Sequence, residues 1–167
     1  AAEFYVAEYR FQRQEFWKAF QAYERMMKRY PGTLRVRKVV QRQFEIGRHL
    51  MAQKPGGLQW RSLLISRAIR ALDKSIDHNP SGPHADEAQL LVSDCYMERE
   101  NWDAAHEAFN AVIEHYPASR WVSTARFRAG LARFYMRRLL PEIGGLLAAC
   151  ADDPATLDAL GDPRDGG

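Results

Sequence analysis

Apolar residues recur at three- and four-residue intervals along most of this chain, and strand-like alternation is scarce. Val36, Val39, Val40, Phe44, Gly47, Leu50 and Met51 share one face at a 3.6-residue period. Phe127, Gly130, Leu131, Phe134 and Tyr135 do the same, and Leu91, Val92, Cys95 and Tyr96 form a shorter version. Paired glycine-rich hairpin turns are absent. The pattern predicts an all-α chain of about eight helices, near 2–13, 16–29, 33–52, 61–78, 84–99, 102–115, 119–138 and 141–151.

Prolines punctuate these helices at a regular interval. Pro31, Pro80, Pro117 and Pro154 follow one another at spacings of 49, 37 and 37 residues. Aligning the first three brings other positions into register. Ala19, Ala68 and Ala105 lie twelve residues before their proline, Ala22, Ala71 and Ala108 nine before. Tyr23, Leu72 and Phe109 lie eight before, and Met27, Ile76 and Ile113 four before. Small residues at fixed places let two helices approach closely, and a large neighbour fills the gap. The proline ends the helix, because it disfavours helical geometry in the residue before it and lacks a donor. Four units follow, about 1–32, 33–81, 82–118 and 119–154, within a repeat domain over 1–151. The first proline spacing exceeds the others by 12 residues, placed in the loop Gln53–Trp60, with Trp60 as its anchor on the body. Residues 152–167 form an acidic Gly/Pro-rich tail, expected to fray.

This combination resembles the tetratricopeptide repeat, which sets a small residue and an aromatic in its second helix and a proline after it. Tyr96, Ala105, Phe109 and Pro117 carry the resemblance, as do Ala7, Ala19, Tyr23 and Pro31. The second unit keeps Ala68 and Pro80 but has Leu72 for the aromatic, and the last has Glu142 and Leu146 in place of the small residue and the aromatic. The 37-residue period and the endings Arg29-Tyr30-Pro31-Gly32-Thr33 and His115-Tyr116-Pro117-Ala118-Ser119-Arg120 resemble bacterial outer-membrane assembly lipoproteins of the BamD (YfiO) type. So does the stretch Arg42-Gln43-Phe44-Glu45-Ile46-Gly47. The resemblance covers roughly 4–140. It implies a right-handed α-solenoid of about four antiparallel helix pairs and a non-catalytic scaffold for envelope assembly at the periplasmic face of the outer membrane. The lipidated cysteine of that family is not in this chain, so any membrane attachment lies in an anchor outside it. The alternatives are a peptide-docking module of a cytosolic or periplasmic complex and an accessory repeat region of a larger enzyme.

Charge adds one feature. The 167 residues carry a formal +3, but this total hides blocks of +6 over 1–51, −4 over 52–118, +6 over 119–140 and −5 over 141–167. Arg126, Arg133 and Arg137 share one stripe of the helix predicted at 119–138, beside Phe127 and Phe134, which read as core. Arg35, Lys38 and Arg42 form a similar stripe on 33–52. Both helices come first in their pairs, and in tetratricopeptide-like proteins first helices line the concave groove. These six residues therefore form a candidate groove for an acidic or C-terminal carboxylate segment of a partner. The plainer reading is a solvated face, or pairing with Asp94, Glu98 and Asp103 of the neighbouring unit. Trp17 sits beside the close-packing Phe16 and is expected to be partly exposed, as a contact surface or a cap on the first pair. Trp102 and Trp121 are expected between units. Interleaved stacking aromatics are not evident beside the arginines, which argues against nucleic acid.

Chemistry beyond binding finds little support. His49, His78, His84, His106 and His115 show no metal-ligand spacing and read as exposed or helix-end residues. Asp86-Glu87 opens a helix, where anions oppose the positive N-terminal dipole, and Asp152-Asp153 reads as a solvated turn. Cys95 and Cys150 have neither a paired cysteine nor an evident base. Gly-rich phosphate loops and nucleophile elbows are missing. No enzyme activity, cofactor or metal is expected. An 18-residue apolar run is also missing, which excludes a membrane-spanning helix.

Overall fold

The computed structural model describes residues 2–53 and 57–151, with 139–151 described by backbone alone. Among the described residues the chain is helical throughout. The helices are α1 (Ala2–Gln12), α2 (Phe16–Arg29), α3 (Val36–Ala52), α4 (Leu58–His78), α5 (Ala85–Glu98), α6 (Trp102–His115) and α7 (Val122–Ala151). Each packs chiefly on its neighbours in sequence, α3 against α4 and α6 against α7 most extensively. This is an all-α, tetratricopeptide-like solenoid.

The proline turns repeat in atomic detail. After Pro31, Pro80 and Pro117 the next helix begins five residues on, at Val36, Ala85 and Val122. In each turn two successive backbone bonds span three residues. Thr33 N–H donates to Tyr30 O (3.1 Å) and Val36 N–H to Thr33 O (3.3 Å). Gly82 to Asn79 (3.0 Å) with Ala85 to Gly82 (3.1 Å), and Ser119 to Tyr116 (2.9 Å) with Val122 to Ser119 (3.3 Å), are the equivalents. The Tyr116 hydroxyl donates to Pro80 O at 3.0 Å, tying one turn to the next.

The turns inside the units repeat as well. Gln14 (φ 59°) and Glu100 (φ 57°) adopt the left-handed conformation, each two residues before the next helix. The matching place in the second unit is Leu63, inside α4. Extra residues there lengthen the helix: α4 has 21 residues where α2 and α6 have 14. Arg61, not Trp60, anchors this extension. Its guanidinium donates to both Glu98 oxygens (2.5 and 2.6 Å) and to the carbonyls of Met51 (2.8 Å) and Gln53 (2.5 Å). Trp60 is 65% exposed. One turn into the helix, it points away from the close-packed face that Ile65, Ala68 and Leu72 bury.

The aligned small and large positions form the core. Ala19, Ala68 and Ala105, then Tyr23, Leu72 and Phe109, are fully buried. One apolar cluster runs from α1 to α5, and a second joins α5, α6 and α7. Where the first two units meet, Gln43 is fully buried. Its amide nitrogen donates to Glu24 Oε1 at 2.7 Å, and His78 Nδ1–H donates to its carbonyl at 3.1 Å. This side-chain network links α2, α3 and α4.

The last unit departs from expectation. The segments predicted at 119–138 and 141–151 are one helix, α7, which passes through Pro141. Arg137-Arg138-Leu139-Leu140 are all good helix formers. They offer none of the turn chemistry of Tyr30-Pro31-Gly32-Thr33, so the proline's missing donor does not end the helix. The buried face of α7 is Ala125, Ala129 and Ala132. Phe127 (73% exposed) and Phe134 (57%) lie outside, not in the core. Small residues let α7 approach α6 closely, which turns the bulky pair away. Trp102 and Trp121 are half-buried: Trp102 stacks on Tyr135 (4.7 Å between centroids) and Arg120 lies over Trp121 (4.5 Å). The tail, including Asp152 and Asp153, lies outside the described residues.

Candidate partner-binding site

The first arginine stripe lies along the seam between α1 and α3. Arg42 is held within it. Its guanidinium binds Glu8 bidentately, Nε to Oε1 at 3.0 Å and Nη2 to Oε2 at 2.9 Å, while Nη1 bonds Glu45 at 2.7 Å. It also lies over the Phe11 ring, 4.2 Å from the centroid. The buried Tyr23 hydroxyl donates to the same Glu8 carboxylate. Arg42 holds the Glu8 carboxyl below the usual range, with Tyr23 and Lys38 adding to the effect against the opposing influence of burial. Burial and the Glu8 charge push the Tyr23 phenol up. Arg42 therefore joins the framework rather than offering a charge to a partner, which corrects the expectation from its spacing.

The two remaining residues of that stripe are more open. Lys38 is exposed, and among the described residues it makes no ion pair. Arg35 is half-buried over the rings of Phe4 (4.4 Å) and Tyr5 (5.0 Å). Tyr5 (60% exposed) and Tyr9 (58%) stand on the adjoining face of α1, and Arg13 donates to the Tyr9 hydroxyl at 3.0 Å. Two hollows flank the Glu8–Arg42 pair. One of about 410 Å³ is lined by Phe4, Met26, Tyr30, Thr33 and Arg35, the other of about 490 Å³ by Phe11, Phe16, Arg42 and His49. Exposed tyrosines and cations along this seam suit carboxylates on a chain with apolar side groups.

The second stripe lies elsewhere. Arg128 reaches Asp94 of α5, which fixes the side of α7 that faces α5. At 100° per residue, Arg126, Arg133 and Arg137 lie about 140–180° around the helix from Arg128. They are exposed on the far side, at the opposite end of the stack from α1. The six stripe residues thus do not share one groove. Nor do the stripe arginines take the expected acidic partners: Asp94 pairs with Arg128, and Glu98 with Arg61. Burial holds the Asp94 carboxyl above its usual range even with the guanidinium beside it. Trp17 is half-buried, stacked on Phe20 (5.0 Å) under the Arg67 guanidinium (5.0 Å). It closes the gap between α2 and α4.

Spacing missed several contributors. Tyr5 and Tyr9 repeat at four residues on the open face of α1, a signal that could have marked the seam. Two of the histidines expected at the surface have structural partners. His78 joins the Gln43 network, and His106 Nδ1–H donates to Ala129 O at 3.1 Å, bridging α6 to α7. Asp86 accepts from Ser119 Oγ at 2.6 Å, so the acidic helix start also fastens the third proline turn. Among the described residues no group of three or more His, Cys, Asp or Glu could hold a metal ion, and no helix is long and apolar enough to cross a membrane.

Residues 87–119 match the family model of the tetratricopeptide repeat. The match spans most of α5, all of α6 and the turn after it, which is the third unit and the one with the fullest set of signature residues. A comparison with curated proteins gave no match. The third unit is thus similar to the tetratricopeptide repeat, a class of repeat that generally binds protein partners.

Proposed function

We propose that the protein is a BamD-like scaffold that holds partner subunits or unfolded outer-membrane protein segments during envelope assembly, on the periplasmic face of the outer membrane. The observation that carries the binding part is the α1–α3 seam, where exposed Tyr5 stands beside Arg35, with exposed Tyr9 one turn further along α1 and exposed Lys38 on α3 near Glu8. Tyrosines supply amphipathic contact area at low entropic cost, and the cations select acidic groups. The envelope part rests on the turn sequences around Pro31 and Pro117 and on the 37-residue period. In this reading the chain binds and positions, with no cofactor and no chemistry of its own.

The test is photo-crosslinking from Tyr9 and Lys38 in the source cells, combined with cell fractionation. The reading expects recovery with the outer membrane and crosslinks to outer-membrane proteins or assembly subunits. A cytoplasmic chain crosslinked to cytosolic proteins overturns the envelope part and leaves a general peptide-docking module. Crosslinks to a catalytic domain of the same polypeptide favour the accessory region of a larger enzyme.

A further inference from the structure

We propose that residues 152–167, the acidic stretch after α7, dock on the open Phe127/Gly130/Phe134 face of α7 and cover it. Phe127 and Phe134 are mostly exposed, and a Cβ placed on Gly130 would meet nothing within 4 Å. An apolar patch rimmed by charge marks a contact surface. The rim is Arg126, Arg133 and Arg137, all exposed and without an ion pair among the described residues.

Charge decides the occupant. A second copy of α7 would set these arginines against their own kind, a repulsive arrangement. Residues 152–167 carry five aspartates and one arginine, together with Leu157 and Leu160. The aspartates match the arginine rim, and the leucines supply apolar groups for the two rings. Reach is ample. Phe134 lies roughly 25 Å back from Ala151 at about 1.5 Å per helical residue. A stretch of this length spans about 50 Å when extended. Tethering also raises the local concentration to the order of millimolar, so individually weak contacts suffice. This goes beyond the scaffold reading and uses a different surface from the α1–α3 seam.

The experiment uses the full chain with Phe127 replaced by the photo-crosslinker benzoylphenylalanine. Because Phe127 is exposed, the replacement leaves the core intact. After irradiation at low concentration, mass spectrometry locates the adducts. The dominant adducts are expected within residues 152–167 of the same molecule. Changing Asp152, Asp153, Asp158, Asp162 and Asp165 to Asn, or raising salt to molar levels, should lower their yield by at least about fivefold, since exposed charges are screened. Adducts to a second copy, to other parts of the chain, or none at all would overturn the proposal. A yield unchanged by the Asn substitutions would overturn its electrostatic basis. The seam assays do not involve Phe127, so either reading can fail alone.

Discussion

Gly47 of α3 and Leu72 of α4 meet with no room for another atom: a Cβ on Gly47 would lie 2.5 Å from Leu72 Cγ and 2.7 Å from Cδ2. Leu72 is fully buried and occupies the place that Tyr23 and Phe109 fill in the flanking units. The Gly47→Ala substitution is expected to destabilise the protein. Overpacking of this kind costs about 1–3 kcal/mol, against a helix-propensity gain of about 1 kcal/mol. Urea unfolding should show a lower midpoint with an unchanged slope. A Gly47→Ala chain as stable as the parent would mean that α3 and α4 are not packed this closely.

The Glu8–Arg42 pair makes a pH prediction. The folded-state pKa of Glu8 is depressed, chiefly by the Arg42 hydrogen bonds. Its stabilising contribution is therefore present above the ordinary carboxylate range and is lost as pH falls through the folded value. Melting temperatures between pH 6 and pH 3 should drop further for the parent than for Glu8→Gln, which keeps the shape but cannot ionise. Parallel profiles would show that the pair adds nothing to acid sensitivity.

Gln14 and Glu100 occupy left-handed backbone positions without being glycine. A left-handed conformation costs an L-residue about 1–2 kcal/mol, part of which glycine returns as extra chain entropy when unfolded. Glu100→Gly should stabilise the chain by a few tenths to about 1 kcal/mol. Calorimetry would register this as a rise of up to a few degrees. A fall in melting temperature would show that the side chain contributes more than the backbone strain removes.

Cys95 is a buried free thiol whose pKa is pushed up to about 12, first by burial and then by the Glu98 and Asp94 carboxylates. In a Cys150→Ser chain it should resist thiol reagents when folded and react fully in denaturant. Its raised folded pKa means that its contribution to stability is intact below about pH 9 and declines as pH rises toward 12. Rapid labelling of the folded chain at neutral pH would contradict the burial.

Most of the repeat was legible because it rests on local rules. The prolines stop helices through missing donors and steric clash, and the alanine and aromatic positions recur at fixed distances from them. The last unit was less legible. Phe127 and Phe134 have core-like spacing, yet Ala125, Ala129 and Ala132 give the closer approach to α6. Periodicity shows that a helix has two faces without showing which neighbour takes which. The partner of Arg42 was hidden from the sequence in the same way. Spacing put Arg35, Lys38 and Arg42 on one face, but Glu8, which ties Arg42 down, lies 34 residues earlier in sequence. The Gln43 network and the Arg61 anchor likewise depend on long-range partners that a pattern along the chain does not carry.

The central claim is that the α1–α3 seam binds an acidic segment of a partner. Fluorescence anisotropy tests it, with a labelled peptide of alternating acidic and large apolar residues titrated against the full chain, Lys38→Glu and Tyr9→Ala. Both substituted side chains are exposed, so circular dichroism should stay unchanged, with a small drop in melting temperature for Lys38→Glu, which reverses a charge near Glu8. The account predicts saturable binding that weakens with salt, and about a tenfold loss for Lys38→Glu, equivalent to about 1.4 kcal/mol. Equal affinity for the parent and both folded variants would contradict it.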